Sequence, residues 1–259
     1  MTAAPASPAL RMNRLISPLV LLACWQAASS AGVLPARILT SPWAVLQAGW
    51  ALAATGALGH HLLVSLARVV VGLAIGGSLG VAFALLAGLS RRGEAIIDAP
   101  LQMLRTLPFV GLVPLFILWF GIGETPKIAL VALGSLFPIY LTLFGGIRGV
   151  DRKLVEAATI FGLGRFAIIR HVILPGALPA ALVGLRYAMG IAWLSLVVAE
   201  QINAGAGIGY LIADARDFLR TDIIVVGLAM YALLGLAGDA LVRVLERRVM
   251  RTRPGLIAS

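Results

Sequence analysis

The chain has 259 residues, 60% of them hydrophobic and 12% charged, with a formal net charge of +10 and a mean hydropathy of +0.99. Soluble domains run at about 45–50% apolar and about 25% charged residues, so this chain has too few charges to clothe a soluble globule. The positive charge sits in short clusters between apolar runs, not on an aromatic-studded face. That pattern fits the basic cytoplasmic loops of a membrane protein and argues against nucleic-acid binding.

Six windows reach the roughly 20 apolar residues needed to cross about 30 Å of hydrocarbon: 15–33, 62–89, 103–122, 128–146, 177–199 and 223–242. The first follows Arg11 and Arg14, as a signal peptide would, but its length and the spans behind it favour an uncleaved helix. Cys24, the only cysteine, lies within it, so no intrachain disulfide or cysteine-cluster metal site can form. Segment 43–59 carries no charge and is nearly long enough to cross. A crossing there would put most basic residues outside, and Ser41-Pro42 reads instead as a helix cap followed by proline in the first turn. We therefore expect a short helix on the outer surface, with Trp43 and Trp50 at headgroup depth.

With the N-terminus inside, Arg91, Arg92, Arg148, Arg152, Lys153, Arg165, Arg170 and the C-terminal cluster ending at Arg253 fall on the cytoplasmic side. Arg37, Lys127, Arg216 and Arg220 fall outside. Both termini are then cytoplasmic. Glycines 72, 76, 77, 80 and 88 in the second window permit close helix approach, within one subunit or between two. Pro108, Pro114, Pro126 and Pro138 punctuate the third and fourth windows, where they can bend a path or simply pack. The expected division is a tail, first span and outer segment over 1–61, a core over 62–248, and a cytoplasmic tail over 249–259.

Between the fourth and fifth windows lies a polar, basic segment. Residues 154–161 are good helix formers with Glu156 near the amino end, where a carboxylate favours the helix dipole. Gly162 and Gly164 permit a sharp turn, a second short helix is expected over 165–172, and Pro175 opens the fifth span. Such a knob suits a groove on a partner. The same residues also suit an amphipathic connector on the membrane surface, with Arg165 and Arg170 toward lipid phosphates.

The run Glu156-Ala157-Ala158, Gly162, Val172 and Leu174-Pro175 has the spacing of a family signature. It resembles the cytoplasmic loop through which permease subunits of bacterial ABC importers grip their ATPase, with Val172 where that family usually has isoleucine. The likeness extends over roughly 40–248. It includes His61, Ser65 and Arg68; Arg105-Thr106-Leu107-Pro108; Trp119-Phe120-Gly121-Ile122-Gly123-Glu124 with Lys127; the 145–151 run; and Ala206-Gly207-Ile208-Gly209-Tyr210-Leu211. The branch it is most similar to carries aliphatic sulfonates, taurine, nitrate and related small anions, and within it the sulfonate permeases.

The resemblance implies an all-α polytopic membrane protein of about six spans, the type I ABC importer permease fold, with a two-helix coupling loop over 151–175. It implies residence in the bacterial inner membrane, two cytoplasmic ATPase subunits, a periplasmic binding protein and a second permease copy. Glu156, Ala157, Ala158, Gly162, Leu174 and Pro175 would couple to the ATPase. The chain has no Walker A pattern, so it is not expected to be the enzyme, and neither a metal nor a cofactor is expected.

Charges within spans are costly unless paired or hydrated. Arg68, near the outer end of its span, can snorkel to the headgroups or meet an incoming anion. Arg105 and Arg186 lie toward inner ends, where snorkelling or packing against the signature loop is expected. Glu200 can pair locally or shape a gate. Ser135, Tyr140, Thr142 and Ser195 near mid-span can bond a carbonyl one turn back or touch substrate. Arg68, Ser135, Tyr140, Ser195 and Glu200 are thus the candidate path residues. A secondary transporter is the rival class, with Asp239 its best-placed carboxylate. An intramembrane enzyme would need a catalytic or metal set, and His60, His61 and His171 do not form one.

Overall fold

The computed structural model describes residues 8–35, 37–108 and 111–251. The outermost parts of the expected tails, residues 1–7 and 252–259 with Arg253, lie outside that range. Described residues form helices and turns, with no strand among them. In chain order α1 is Pro8–Ser30, α2 Pro42–Ala54, α3 Ala57–Gly88, α4 Arg91–Arg105, α5 Leu112–Phe120 and α6 Glu124–Arg148. Then come α7 Arg152–Ile160, α8 Arg165–Ile168, α9 Leu174–Asn203, α10 Ile208–Asp217 and α11 Thr221–Arg251.

Small residues decide the centre of the bundle. Gly72, Gly76, Gly80, Ala84 and Gly88 recur every fourth position along α3 and so line one helix face. A Cβ on Gly72 would lie 2.6 Å from Val131 Cβ, one on Gly76 2.0 Å from the Ala132 carbonyl oxygen, one on Gly80 2.7 Å from the Leu136 carbonyl, and one on Gly88 2.8 Å from Ile147. Backbone thus meets backbone, with van der Waals packing as the adhesive that lipid does not already supply. The glycine face serves packing inside the subunit. Gly146 and Gly184 do the same between α6 and α9, facing Ala180 and Thr142.

These contacts also set direction. Partners on α6 rise in step with positions on α3, so the two helices run parallel, whereas α9 runs against α6 and α11 returns alongside α9, Gly238 meeting Met189. Because α3 and α6 start at the same end, α4 and α5 together must carry the chain back. The C-termini of α3 and α6, the α7–α8 segment and the C-terminal part of α11 therefore share one end. The N-termini of α3 and α6 share the other with the C-terminus of α9.

Among the described residues four helices are long and apolar enough to cross a membrane: Ala57–Gly88, Glu124–Arg148, Arg165–Ile202 and Thr221–Val249; Ile16–Ser30 is a shorter apolar helix. The third window departs from the single span expected. Its first residues end α4, and α5 has nine residues, about 14 Å of helix. Pro108 explains the break: it lacks an N–H and disfavours helix at the residue before it. Upstream, Ser41 caps α2 by accepting from the Ala44 N–H, with Pro42 at the first turn. That matches the cap expected from the sequence, and Trp43 and Trp50 are exposed.

A methyl group on the glycine face tests this packing. Gly76→Ala should destabilise the protein by about 1–3 kcal/mol through overpacking. Gly190→Ala, where nothing lies within 4 Å of the added carbon, should be neutral or slightly stabilising. Thermal unfolding in detergent measures both; equal midpoints would contradict the close α3–α6 approach.

Candidate functional site

The first site is the α7–α8 segment. Asp151 caps α7 by accepting from the Lys153 N–H. At the far end the Leu163 N–H donates to the Ala158 carbonyl at 3.0 Å and the Gly162 N–H to Thr159 at 2.9 Å, a double-bonded helix stop that requires a left-handed residue. Gly162 supplies it at φ +81. Ala158 and Ile168 are buried, whereas Ile160, Phe161 and Phe166 stand 85%, 83% and 75% exposed. Glu156 is exposed and Ala157 half-buried beside them. Three large apolar side chains are thus left in the open around a polar turn.

The second half of this segment differs from the separate helix expected. α8 runs through a π turn, Ile169–Ile173, directly into α9, giving one helix from Arg165 to Ile202. The Leu174 N–H reaches back five residues to Ile169. Pro175 is the physical reason: it has no N–H to offer His171, and the widened turn relieves its ring from the preceding carbonyls. Leu174 is exposed and Pro175 half-buried on the first turn of α9.

The second site is a buried ionic cluster at the opposite end. The Arg68 guanidinium, on α3 and 4% exposed, donates from Nε to Glu124 Oε2 at 2.5 Å and from Nη2 to Oε1 at 2.7 Å. Its Nη1 donates to Glu200 Oε1 at 2.6 Å and to the Ala206 carbonyl at 2.7 Å. Glu200, on α9 and 1% exposed, also accepts from Ser65 Oγ, the Gly209 N–H at 2.8 Å and the Tyr231 hydroxyl at 3.2 Å. Ser65 Oγ in turn accepts from the Ile208 N–H, and His61 Nδ1 accepts from the Gly207 N–H. Glycine is required at 207, where φ is +118 and a Cβ would sit 2.4 Å from the Glu200 carboxylate. Lys127, also buried, donates to the Gly123 carbonyl at 2.5 Å and stands 3.5 Å from Glu124.

Residues 76–251 match the family described as binding-protein-dependent transport system inner membrane component. The chain belongs to this family. A protein of Escherichia coli (strain K12) named for aliphatic sulfonates transport, SsuC, is 51% identical over 95% of this chain and 93% of its own length. The SsuC of Bacillus subtilis (strain 168) is 44% identical over 93% and 88%. The taurine transport system permease protein TauC of Escherichia coli is 33% identical over 89% and 86%. Among solved structures, a chain of an amino acid ABC transporter with histidines superposes with a TM-score of 0.62 at 20% identity, covering 73% of this chain and 92% of that one. A chain of the MetNI methionine ABC transporter gives 0.56 at 21% identity, covering 71% and 95%. The fold is that of type I ABC importer permeases.

In this permease the candidate path residues separate into two groups. Arg68 and Glu200 meet in the ionic cluster; Arg68 does not snorkel, because two carboxylates neutralise it in place. Ser135, Tyr140 and Ser195 are buried between helices. Ser135 and Ser195 hydroxyls donate to the Ala132 and Ile191 carbonyls, and Thr142 to Pro138. Tyr140 reaches further, donating to Asp98 of α4 at 2.8 Å. None of the three lines the apolar cavity of about 250 Å³ between α4, α5, α6 and α9, which has Arg105 on its wall.

Three further placements differ from expectation. Lys127 lies inside α6 and not in an outer loop, because α6 begins at Glu124. Arg186 pairs with Asp239 and with Glu246 of α11 at 2.6 Å and makes no contact with the signature loop among the bonds seen. Asp239 is shared between Arg186 and Arg243, so the rival carboxylate is committed to salt bridges. Glu124 was legible only as part of a family motif. Its partnership with Arg68 spans 56 positions, and the one signal that could have found it is an arginine inside a span, which needs an anion if it does not snorkel.

Removing one partner of a buried pair costs more than removing a neutral donor. Glu200→Ala should destabilise the permease by about 3–5 kcal/mol and Ser65→Ala by about 1–3 kcal/mol. Thermal unfolding in detergent should rank them so; a Glu200→Ala protein as stable as wild type would refute the ion pairing.

Proposed function

We propose that this chain is the permease subunit of an ABC importer for a small organic anion, with aliphatic sulfonates first and taurine or nitrate second. Two such subunits form the path, two separate ATPases drive it from the α7–α8 end, and a binding protein delivers substrate at the ionic-cluster end. The observation that carries this reading is the α7–α8 knob, with its exposed Ile160, Phe161 and Phe166 held at a fixed angle by the Gly162 stop. An exposed apolar patch of this kind marks a protein or membrane contact, and the match to the binding-protein-dependent transport family favours a protein partner. The relatives named for sulfonate transport support the choice of substrate.

Orientation follows from charge. Arg91, Arg92, Arg152, Lys153, Arg165 and Arg170 all lie at the knob end, so that end faces the cytoplasm, with the C-terminus of α11 beside it. The segment 62–248 is the working core, and 151–175 is its coupling element. Glu156, Ala157, Ala158 and Gly162 form the docking turn. Leu174 and Pro175 join it to α9, so movement of the ATPases moves a helix whose last turn carries Glu200.

Reconstitution with the ATPase and binding protein should give ATP-dependent uptake of ethanesulfonate that needs all three components. Gly162 substitutions should lower uptake and ATPase association in the order Asn, Ala, Val. There is room for a side chain, since nothing lies within 4 Å. The left-handed backbone therefore sets the penalty, about 1–2 kcal/mol and least for asparagine. A Gly162→Val permease that binds ATPase and transports normally would overturn the coupling role.

A further inference from the structure

Arg68 and Lys127 are two buried cations that share a carboxylate which is itself largely in the open: the Glu124 side chain is 57% exposed, against 4% and 5% for its partners. Arg68 does not depend on Glu124 for its position. Its Nη1 edge is fixed by Glu200 and the Ala206 carbonyl, so the Nε/Nη2 fork stays presented when Glu124 leaves. Lys127 is only partly served. A carboxylate has two oxygens, both engaged by the fork, and Nζ remains 3.5 Å away, leaning on the Gly123 carbonyl.

Charge balance completes the picture. With Glu124 in place, two cations face two carboxylates. Without it, Arg68 and Lys127 face Glu200 alone, and a buried positive charge is left that demands an anion. A sulfonate meets that demand better than a carboxylate does. Two of its oxygens match the guanidinium fork, and its third can reach Lys127 Nζ.

We propose that Arg68 and Lys127 form an oxyanion seat, that Glu124 occupies it as a built-in surrogate in this conformation, and that the sulfonate head of the transported molecule displaces Glu124 during passage. The proposal rests on the importer reading above and adds the residues that recognise the head group. Displacement has a structural consequence: the Arg68–Glu124 bonds tie α3 to the start of α6, so the arriving anion opens that tie as it binds.

The test uses the full-length permease purified alone in detergent, with ethanesulfonate as probe and uncharged dimethyl sulfone as control, followed by calorimetric titration. Glu124→Gln removes the competing charge, so ethanesulfonate should bind it about tenfold more tightly than wild type. Dimethyl sulfone should bind neither. Lys127→Gln in the Glu124→Gln background should reverse the gain, with thermal unfolding confirming that both variants fold. Equal affinity for wild type and Glu124→Gln overturns the seat. So does an equal gain for dimethyl sulfone, or no binding to folded Glu124→Gln at any ethanesulfonate concentration tried. Wild-type uptake in the three-component liposomes separates the two ideas: its absence removes the importer reading, whereas uptake with unchanged Glu124→Gln affinity removes only the seat.

Discussion

A guanidinium buried among apolar helices must be neutralised where it stands, and the way Arg68 meets that demand organises the cluster end of the permease. One edge of the fork takes Glu124 from α6; the other takes Glu200 from α9 and the Ala206 carbonyl ahead of α10. Glu200 then draws in the Gly209 amide and Tyr231 of α11. A single charge on α3 thereby ties the start of α6, the end of α9 and the start of α10, and through Glu200 reaches Tyr231 inside α11. In a low-dielectric setting such a network is stable only when nearly every donor and acceptor has a partner, which is why glycine is forced at 207, where any side chain would strike the Glu200 carboxylate.

The middle of the bundle relies on different physics. Lipid is as apolar as leucine, so α3, α6 and α9 cannot be driven together by apolar burial alone. Glycines let their backbones come within direct contact, and mutual packing replaces the hydrophobic effect. The result is a closely packed three-helix block. Along one edge of it α9, with its α8 and π-turn extension, spans Arg165 to Ile202, roughly 57 Å of continuous helix. Its first residues belong to the knob and its last turn carries Glu200. The knob and the ionic cluster are therefore joined through one continuous helix, with the π turn before Pro175 as its local irregularity.

Local signals were legible in the sequence. Ser41-Pro42 announced a cap, Gly162 a turn, and the four-residue glycine period a close helix face; each depends on neighbours within one helical turn. The glycine period alone could not say which helix it faced, because that is a property of the partner. The same limit hid the ionic cluster. Arg68, Glu124 and Glu200 lie far apart in the chain, and a lone arginine near a span end reads equally well as snorkelling. Hydropathy also merged what proline divides: the third window is apolar but for Arg105 and Thr106, yet Pro108 stops α4 short of α5. At Pro175 the opposite occurred. A proline expected to mark a fresh start was absorbed by a π turn, and two anticipated helices became one.

The contrast between the two ends carries the last step of the argument. At the knob, α7 is capped at both ends and apolar side chains are left over: Ile160, Phe161 and Phe166 stand 75–85% exposed. At the cluster, the side chains are nearly all paired, and only Glu124 combines a strong internal bond with broad exposure. An apolar surplus is best met by a protein surface that stays, whereas a displaceable charge is best met by a ligand that comes and goes. The chemistry of each end thus matches a different kind of visitor, a resident motor at one and a passing anion at the other. On the function and the seat proposed above, a helix that touches both ends would give the motor a mechanical hold on the anion.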